Sequence, residues 1–118
     1  MQEGIAKTVV SDKNTAKTVK SGTLEVFSTP MMIALMEEAA CKALQLEEGQ
    51  TSVGTYIAVE HKAASGLGDE IIASAKVTET EGRKITFTVK ANSGDTEIGE
   101  GTHIRYIVDA ERFMSKVK

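Results

Sequence analysis

The 118-residue sequence has no tryptophan, one proline and one cysteine, and aromatic residues make up only 4% of it. With a single thiol, Cys41, the chain can form no internal disulfide and no multi-cysteine zinc site. Two histidines, His61 and His103, are too few to furnish a metal centre by themselves. No run approaches the roughly 20 apolar residues of a membrane span. The longest uncharged apolar stretch, residues 30–36, is internal and shorter than the core of a secretion signal. Nor is there a basic excess: the net charge is −3, so the concentrated positive face of a nucleic-acid binder is missing. The rest, 41% hydrophobic and 26% charged, has the balance of one globular domain over residues 1–118, cored by Val, Ile, Leu, Met and Ala. The expected setting is a reducing cytoplasm, away from membrane and nucleic acid, with no bound metal or cofactor.

Hydropathy patterning divides the chain. Residues 1–23 are rich in Lys, Thr and Ser and read as one or two short edge strands around the turn-like Ser11-Asp12-Lys13-Asn14. From Thr29-Pro30 to about Leu46 the residues are strong helix formers, with Thr29 as the expected N-cap and Gly49 marking the stop. That helix is apolar around most of its circumference, which predicts burial. Residues 51–61, 70–80, 84–92 and 96–108 then alternate with period two and read as strands. Glu81-Gly82-Arg83 and Ser93-Gly94-Asp95 are hairpin connectors, residues 64–69 a longer loop, and residues 109–118 a short helical tail. One long helix followed by an antiparallel meander predicts an α+β domain in which the sheet wraps the helix.

Glu37 is the most informative side chain. Its helical neighbours are Ile33, Ala34, Ala40 and Cys41, whereas Glu38 stands one turn before Lys42 as an exposed pair. A carboxylate on an apolar face costs free energy unless it reaches water or a partner. Either Glu37 sits at a helix edge, or its environment tunes it as a general base. His61 ends the first of the four strands and points to the core side, as a packed core residue or a proton carrier. Thr29 is explained by capping, yet a hydroxyl at a helix start also lies where oxyanions are stabilised. Gly54 inside a strand predicts a bulge or a close backbone approach. His103 and Arg105 share one strand face, expected to be solvated or to meet a phosphate-bearing substrate. Cys41 and the Met31, Met32, Met36 cluster read as packing.

Taken in order, these segments resemble the hotdog-fold acyl-CoA thioesterases, closest to the fluoroacetyl-CoA thioesterase type. The likeness rests on Thr29 with residues 33–41, on residues 47–55 and on Val59-Glu60-His61-Lys62-Ala63-Ala64. It continues through Glu81-Gly82-Arg83 and residues 97–103 to Arg112-Phe113. It implies an antiparallel sheet curled around one helix and a homodimer as the working unit. It also implies hydrolysis of a small acyl-CoA thioester, with CoA as part of the substrate and Thr29, Glu37 and His61 as the catalytic set. By the same resemblance Gly54 would lie beside the thioester carbonyl, while His103 and Arg105 stand as further substrate contacts on the ground of their shared strand face alone. The fluoroacetyl-specific type carries an aromatic-bearing lid between its first strand and the helix. Here the expected connection, residues 21–28, is short and has only Phe27 as an aromatic. Two other readings share this framework: hydration or dehydration of an enoyl thioester, and acyl-CoA binding without turnover. Methionine, isoleucine and alanine on the pocket side of the helix predict short or small branched acyl groups.

Overall fold

A computed structural model describes residues 2–117. The elements run β1 (Glu3–Val9), α1 (Ala16–Val19), α2 (Thr29–Ala43), β2 (Gln50–His61), β3 (Glu70–Glu81), β4 (Lys84–Ser93), β5 (Thr96–Asp109) and α3 (Ala110–Ser115). The strands form one antiparallel sheet in the order β1-β3-β4-β5-β2, curled over α2 as in the hotdog fold. The meander is therefore confined to β3, β4 and β5. β2 crosses to the far edge and pairs with β5, so both outer strands precede the meander in sequence.

The inner face of the sheet is alternating and small: Ala6 on β1, Ile71, Ala73 and Ala75 on β3, Ile85, Phe87, Val89 and Ala91 on β4. Against it lie Met32, Leu35, Met36, Ala39, Ala40 and Ala43 of α2. A 15-residue helix is at the margin of stability in isolation. Burial of Met32, Leu35 and Met36, each worth about 1.5–3 kcal/mol, supplies what propensity alone does not. β1 approaches α2 so closely that a side chain at Gly4 would collide with the helix backbone at Ala39 and Ala43. No helix among the described residues is long and apolar enough to cross a membrane.

Two local differences from the sequence reading bear on function. The helix begins one residue earlier in its capping: Ser28, buried and extended, accepts from the Met31 N–H at 3.2 Å, and Thr29 is already helical. The Ser28 backbone is anchored by donating to the Asn14 carbonyl at 3.1 Å, which places its hydroxyl for the cap and leaves that of Thr29 free. The connection from β1 to α2 is also longer than expected. It spans residues 10–28 and contains α1 in place of a second edge strand, because Thr15 caps a turn by accepting from the Thr18 N–H. Phe27 is buried in the core, while residues 20–25 are exposed and carry no aromatic side chain.

Candidate active site

β2 and β5 build the site together. Their register is regular from Gln50 to Gly54, shifts between Gly54 and Tyr56, and resumes to His61. The bulge predicted at Gly54 is present, and it changes which residues share a face. Gly54 pairs with Arg105, Ile57 with His103, Val59 with Gly101 and His61 with Gly99. These residues all lie on the side facing α2.

At one end, the Thr29 hydroxyl lies 2.8 Å from His61 Nδ1. The other ring nitrogen, Nε2, is buried with no hydrogen-bond partner among the described residues. Burial is the main influence on this imidazole and holds its pKa below 6.5, opposed by a bond to the Ala63 backbone. A small cavity of about 290 Å³ adjoins the pair, with Val26, Phe27, Ala63 and Ala64 in its walls.

At the other end, Glu37 sits over Gly54. A Cβ at Gly54 would be 3.1 Å from each of Glu37 Oε2, Arg105 Nη1 and His103 Cε1, so only glycine leaves the three groups undisturbed. The Glu37 carboxylate is 41% exposed and 4.0 Å from Arg105 Nη1. Of the two readings open from the sequence, the helix edge is the one seen: the carboxylate reaches water, and the facing strand adds a cation that periodicity along α2 cannot show. Glu38 makes the expected surface pair with Lys42 at 3.1 Å.

The expected solvated face of His103 and Arg105 is corrected: they are 1% and 8% exposed. Arg105 Nε donates to Ser52 Oγ at 2.8 Å and Nη2 to the Ser52 carbonyl at 3.0 Å. His103 Nδ1 is 2.8 Å from the Tyr56 carbonyl and Nε2 is 3.2 Å from Arg105 Nη1. Both ring nitrogens are therefore occupied inside the protein. Burial above all pulls the His103 pKa below 6.5; the Tyr56 carbonyl opposes this and the Arg105 charge reinforces it. Ser52 was not singled out from the sequence, where a serine in an alternating strand carries no distinguishing signal.

These shifts set a pH dependence. A histidine held below 6.5 in the folded chain binds its proton more readily when unfolded, so stability is present above about pH 6.5 and lost as pH falls toward the folded values. The melting temperature, followed by circular dichroism, should be lower at about pH 5.5 than at about pH 7.5. An unchanged or higher value in acid would contradict the burial of the two imidazoles.

A single chain does not unite the three expected catalytic residues. Thr29 and Glu37 are eight positions apart on α2, about 12 Å along its axis. Gly54 and His61 are seven apart on β2, about 20 Å. Thr29 and His61 meet at one end, and Glu37, Gly54, His103 and Arg105 at the other.

A family model described as fluoroacetyl-CoA-specific thioesterase matches residues 10–111. The fluoroacetyl-CoA thioesterase of Streptantibioticus cattleyicolor is 42% identical over 96 residues, covering 80% of this chain and 69% of the relative. A solved structure of the fluoroacetyl-CoA thioesterase FlK superposes with a TM-score of 0.92 at 35% identity, covering 98% of this chain and 92% of that one. A thioesterase superfamily member from Thermus thermophilus superposes with a TM-score of 0.87 at 27% identity, covering 96% and 85%.

Proposed function

The chain belongs to the fluoroacetyl-CoA-specific thioesterase family, and on that premise we propose that it is an acyl-CoA thioesterase that cleaves small acyl thioesters with water at a site completed by a second copy of the chain. The observation that carries the composite site is the separation of Glu37 from the Thr29–His61 pair within one protomer. β2 is an outer strand with an unpaired edge, and Tyr56 on it is 53% exposed. Pairing this edge with its copy in a homodimer removes a liability that exposed strands otherwise carry. A two-fold axis midway between Gly54 and His61, beside Ile57 and Ala58, sets Glu37 of one protomer against the partner's His61. The unpartnered His61 Nε2 and the half-exposed Glu37 carboxylate then face each other across the interface.

In this arrangement the thioester carbonyl lies beside Gly54 of one chain and the start of α2 of the other, and backbone N–H groups at these two places stabilise the developing oxyanion. Glu37 acts on the carbonyl carbon either as a base, taking a proton from the attacking water, or as a nucleophile. As a nucleophile it forms a mixed anhydride that water then opens. Either way the C–S bond breaks, the acid is released, and the departing thiolate receives a proton to leave as CoASH. His61, oriented by Thr29, carries that proton. A single turnover in ¹⁸O-labelled water identifies the nucleophilic route in which water opens the anhydride at the Glu37 carboxyl carbon, because the first acid formed then carries an unlabelled Glu37 oxygen and the label stays on Glu37. Arg105 and Gly54 form the wall beside the reacting carbonyl. The free, exposed Cys41 thiol fits a reducing compartment, the cytoplasm.

The cavity beside Thr29 and His61 is small, and the exposed residues 20–25 supply no aromatic lid. Acetyl-, propionyl- and isobutyryl-CoA should therefore have higher kcat/KM than benzoyl- or palmitoyl-CoA, and fluoroacetyl-CoA should be cleaved no faster than acetyl-CoA. Release of CoASH, followed with a thiol-reactive dye, tests both statements. No CoASH from any of these substrates would refute the thioesterase reading, and a maximum at palmitoyl-CoA would refute the small pocket.

A further inference from the structure

His103 is fully buried, stacks on Phe87 with ring centroids 5.9 Å apart, and has no place in the chemistry described above. Its two hydrogen bonds fix its protonation state. A guanidinium can only donate, so His103 Nε2, 3.2 Å from Arg105 Nη1, must be the bare, accepting nitrogen. The proton then resides on Nδ1, which donates to the Tyr56 carbonyl at 2.8 Å. Tyr56 is the residue at which the β2 register resumes after the bulge at Gly54. One neutral imidazole thus joins the bulge of β2 to the guanidinium that faces Glu37. Ser52 fixes the opposite side of that guanidinium through Nε and Nη2, leaving Nη1 as the nitrogen directed at Glu37 Oε2.

We propose that His103 is a positioning residue: as a neutral acceptor it aims Arg105 Nη1 at Glu37 and Gly54, and it makes no contact with substrate. This rests on Glu37 being catalytic. A protonated His103 would turn an N–H toward the Arg105 cation and drive the guanidinium away, so the device works only with the imidazole neutral. The geometry also gives a chemical reason for a histidine here. Asparagine can replace the Nδ1 donor to Tyr56 but falls short of Arg105, while glutamine reaches Arg105 with an acceptor but gives up the Tyr56 bond.

The test is a double-mutant cycle with acetyl-CoA. His103→Asn should lower kcat about 10- to 100-fold with little change in KM, the scale of a misplaced catalytic group. His103→Gln should recover part of that loss even if it melts lower, separating positioning from stability. In an Arg105→Lys background, which itself lowers kcat because the fork is gone, His103→Asn should change kcat less than about twofold, since the residue acts through Arg105. Equal losses in both backgrounds, a loss confined to KM, a wild-type rate in Arg105→Lys, or activity that simply follows melting temperature would each overturn the proposal. Should Glu37→Gln retain full kcat, the failure lies instead in the catalytic assignment of Glu37.

Discussion

Replacing Glu37 by glutamine is expected to leave a folded protein whose kcat on a small acyl-CoA falls by about 10²- to 10⁴-fold or more. Glutamine keeps the shape and the hydrogen-bonding reach of the side chain but can neither take a proton from water nor attack a carbonyl. The partner cation makes the structural side of the experiment informative too. Arg105 has only 10% of its side chain exposed, and Glu37 is its nearest carboxylate at 4.0 Å. Ser52 and His103 still hold three of its N–H groups, so the guanidinium stays in place when the charge is removed. The carboxylate is part-exposed, and such a pair contributes about 1 kcal/mol or less. A slight fall in melting temperature is therefore expected, far too small to explain the loss of rate. Glu38→Gln is the internal control. It removes only the surface pair with Lys42, and steady-state kinetics should show an unchanged kcat.

The second large effect is expected at the opposite end of the site. His61→Ala should reduce kcat on the scale of Glu37→Gln, and the double variant should be little worse than either single, since the two groups act in one step. Thr29→Ala removes the 2.8 Å partner of His61 Nδ1 and should also lower kcat. It is a clean probe because Ser28, and not Thr29, caps α2. The melting temperature of Thr29→Ala should shift by no more than a lost hydrogen bond implies, about 0.5–1.5 kcal/mol. Ser28→Ala should show the converse: about 1 kcal/mol of lost stability with kcat retained. A Thr29→Ala enzyme that is destabilised but fully active would reverse these two roles.

Much of this architecture is legible in the sequence, for reasons that can be named. The span of α2 follows from an uninterrupted run of helix formers behind Ser28-Thr29-Pro30, and it ends three residues before the predicted limit, at Ala43. The four long strands follow from period-two patterning punctuated by Gly82 and Gly94, both of which adopt positive φ in their turns. The pairing order is not legible. Nothing local in Gln50–His61 says that it will skip β3 and lie beside β5, because that choice is made by burial across the whole sheet. The same crossover hides the site. His103 and Arg105 look like a wetted strand face until they are seen to be buried beside β2, where Ser52 and the Tyr56 carbonyl take up their polar atoms. A signal was present: Gly99, Gly101, His103 and Arg105 share one parity, and two glycines on a strand face mark a close approach rather than open solvent. Thr29 illustrates a different limit. Ser28 and Thr29 are equally good caps by composition, and only the anchoring of Ser28 to Asn14 decides between them. Thr29, Glu37 and His61 are each identifiable in the sequence, but their separation into two ends of the chain's fold belongs to tertiary structure.

Co-expression of differently tagged Glu37→Gln and His61→Ala chains, followed by isolation of the mixed population, tests the composite site most directly. If Glu37 works against the partner's His61, every heterodimer contains one site with both residues intact and one with both altered. In the isolated mixed dimers one site in two is intact, so activity should recover to roughly half of wild type, far above either parent. If each chain builds its own site, every site in the mixture lacks one group, and the mixture will be no more active than its parents.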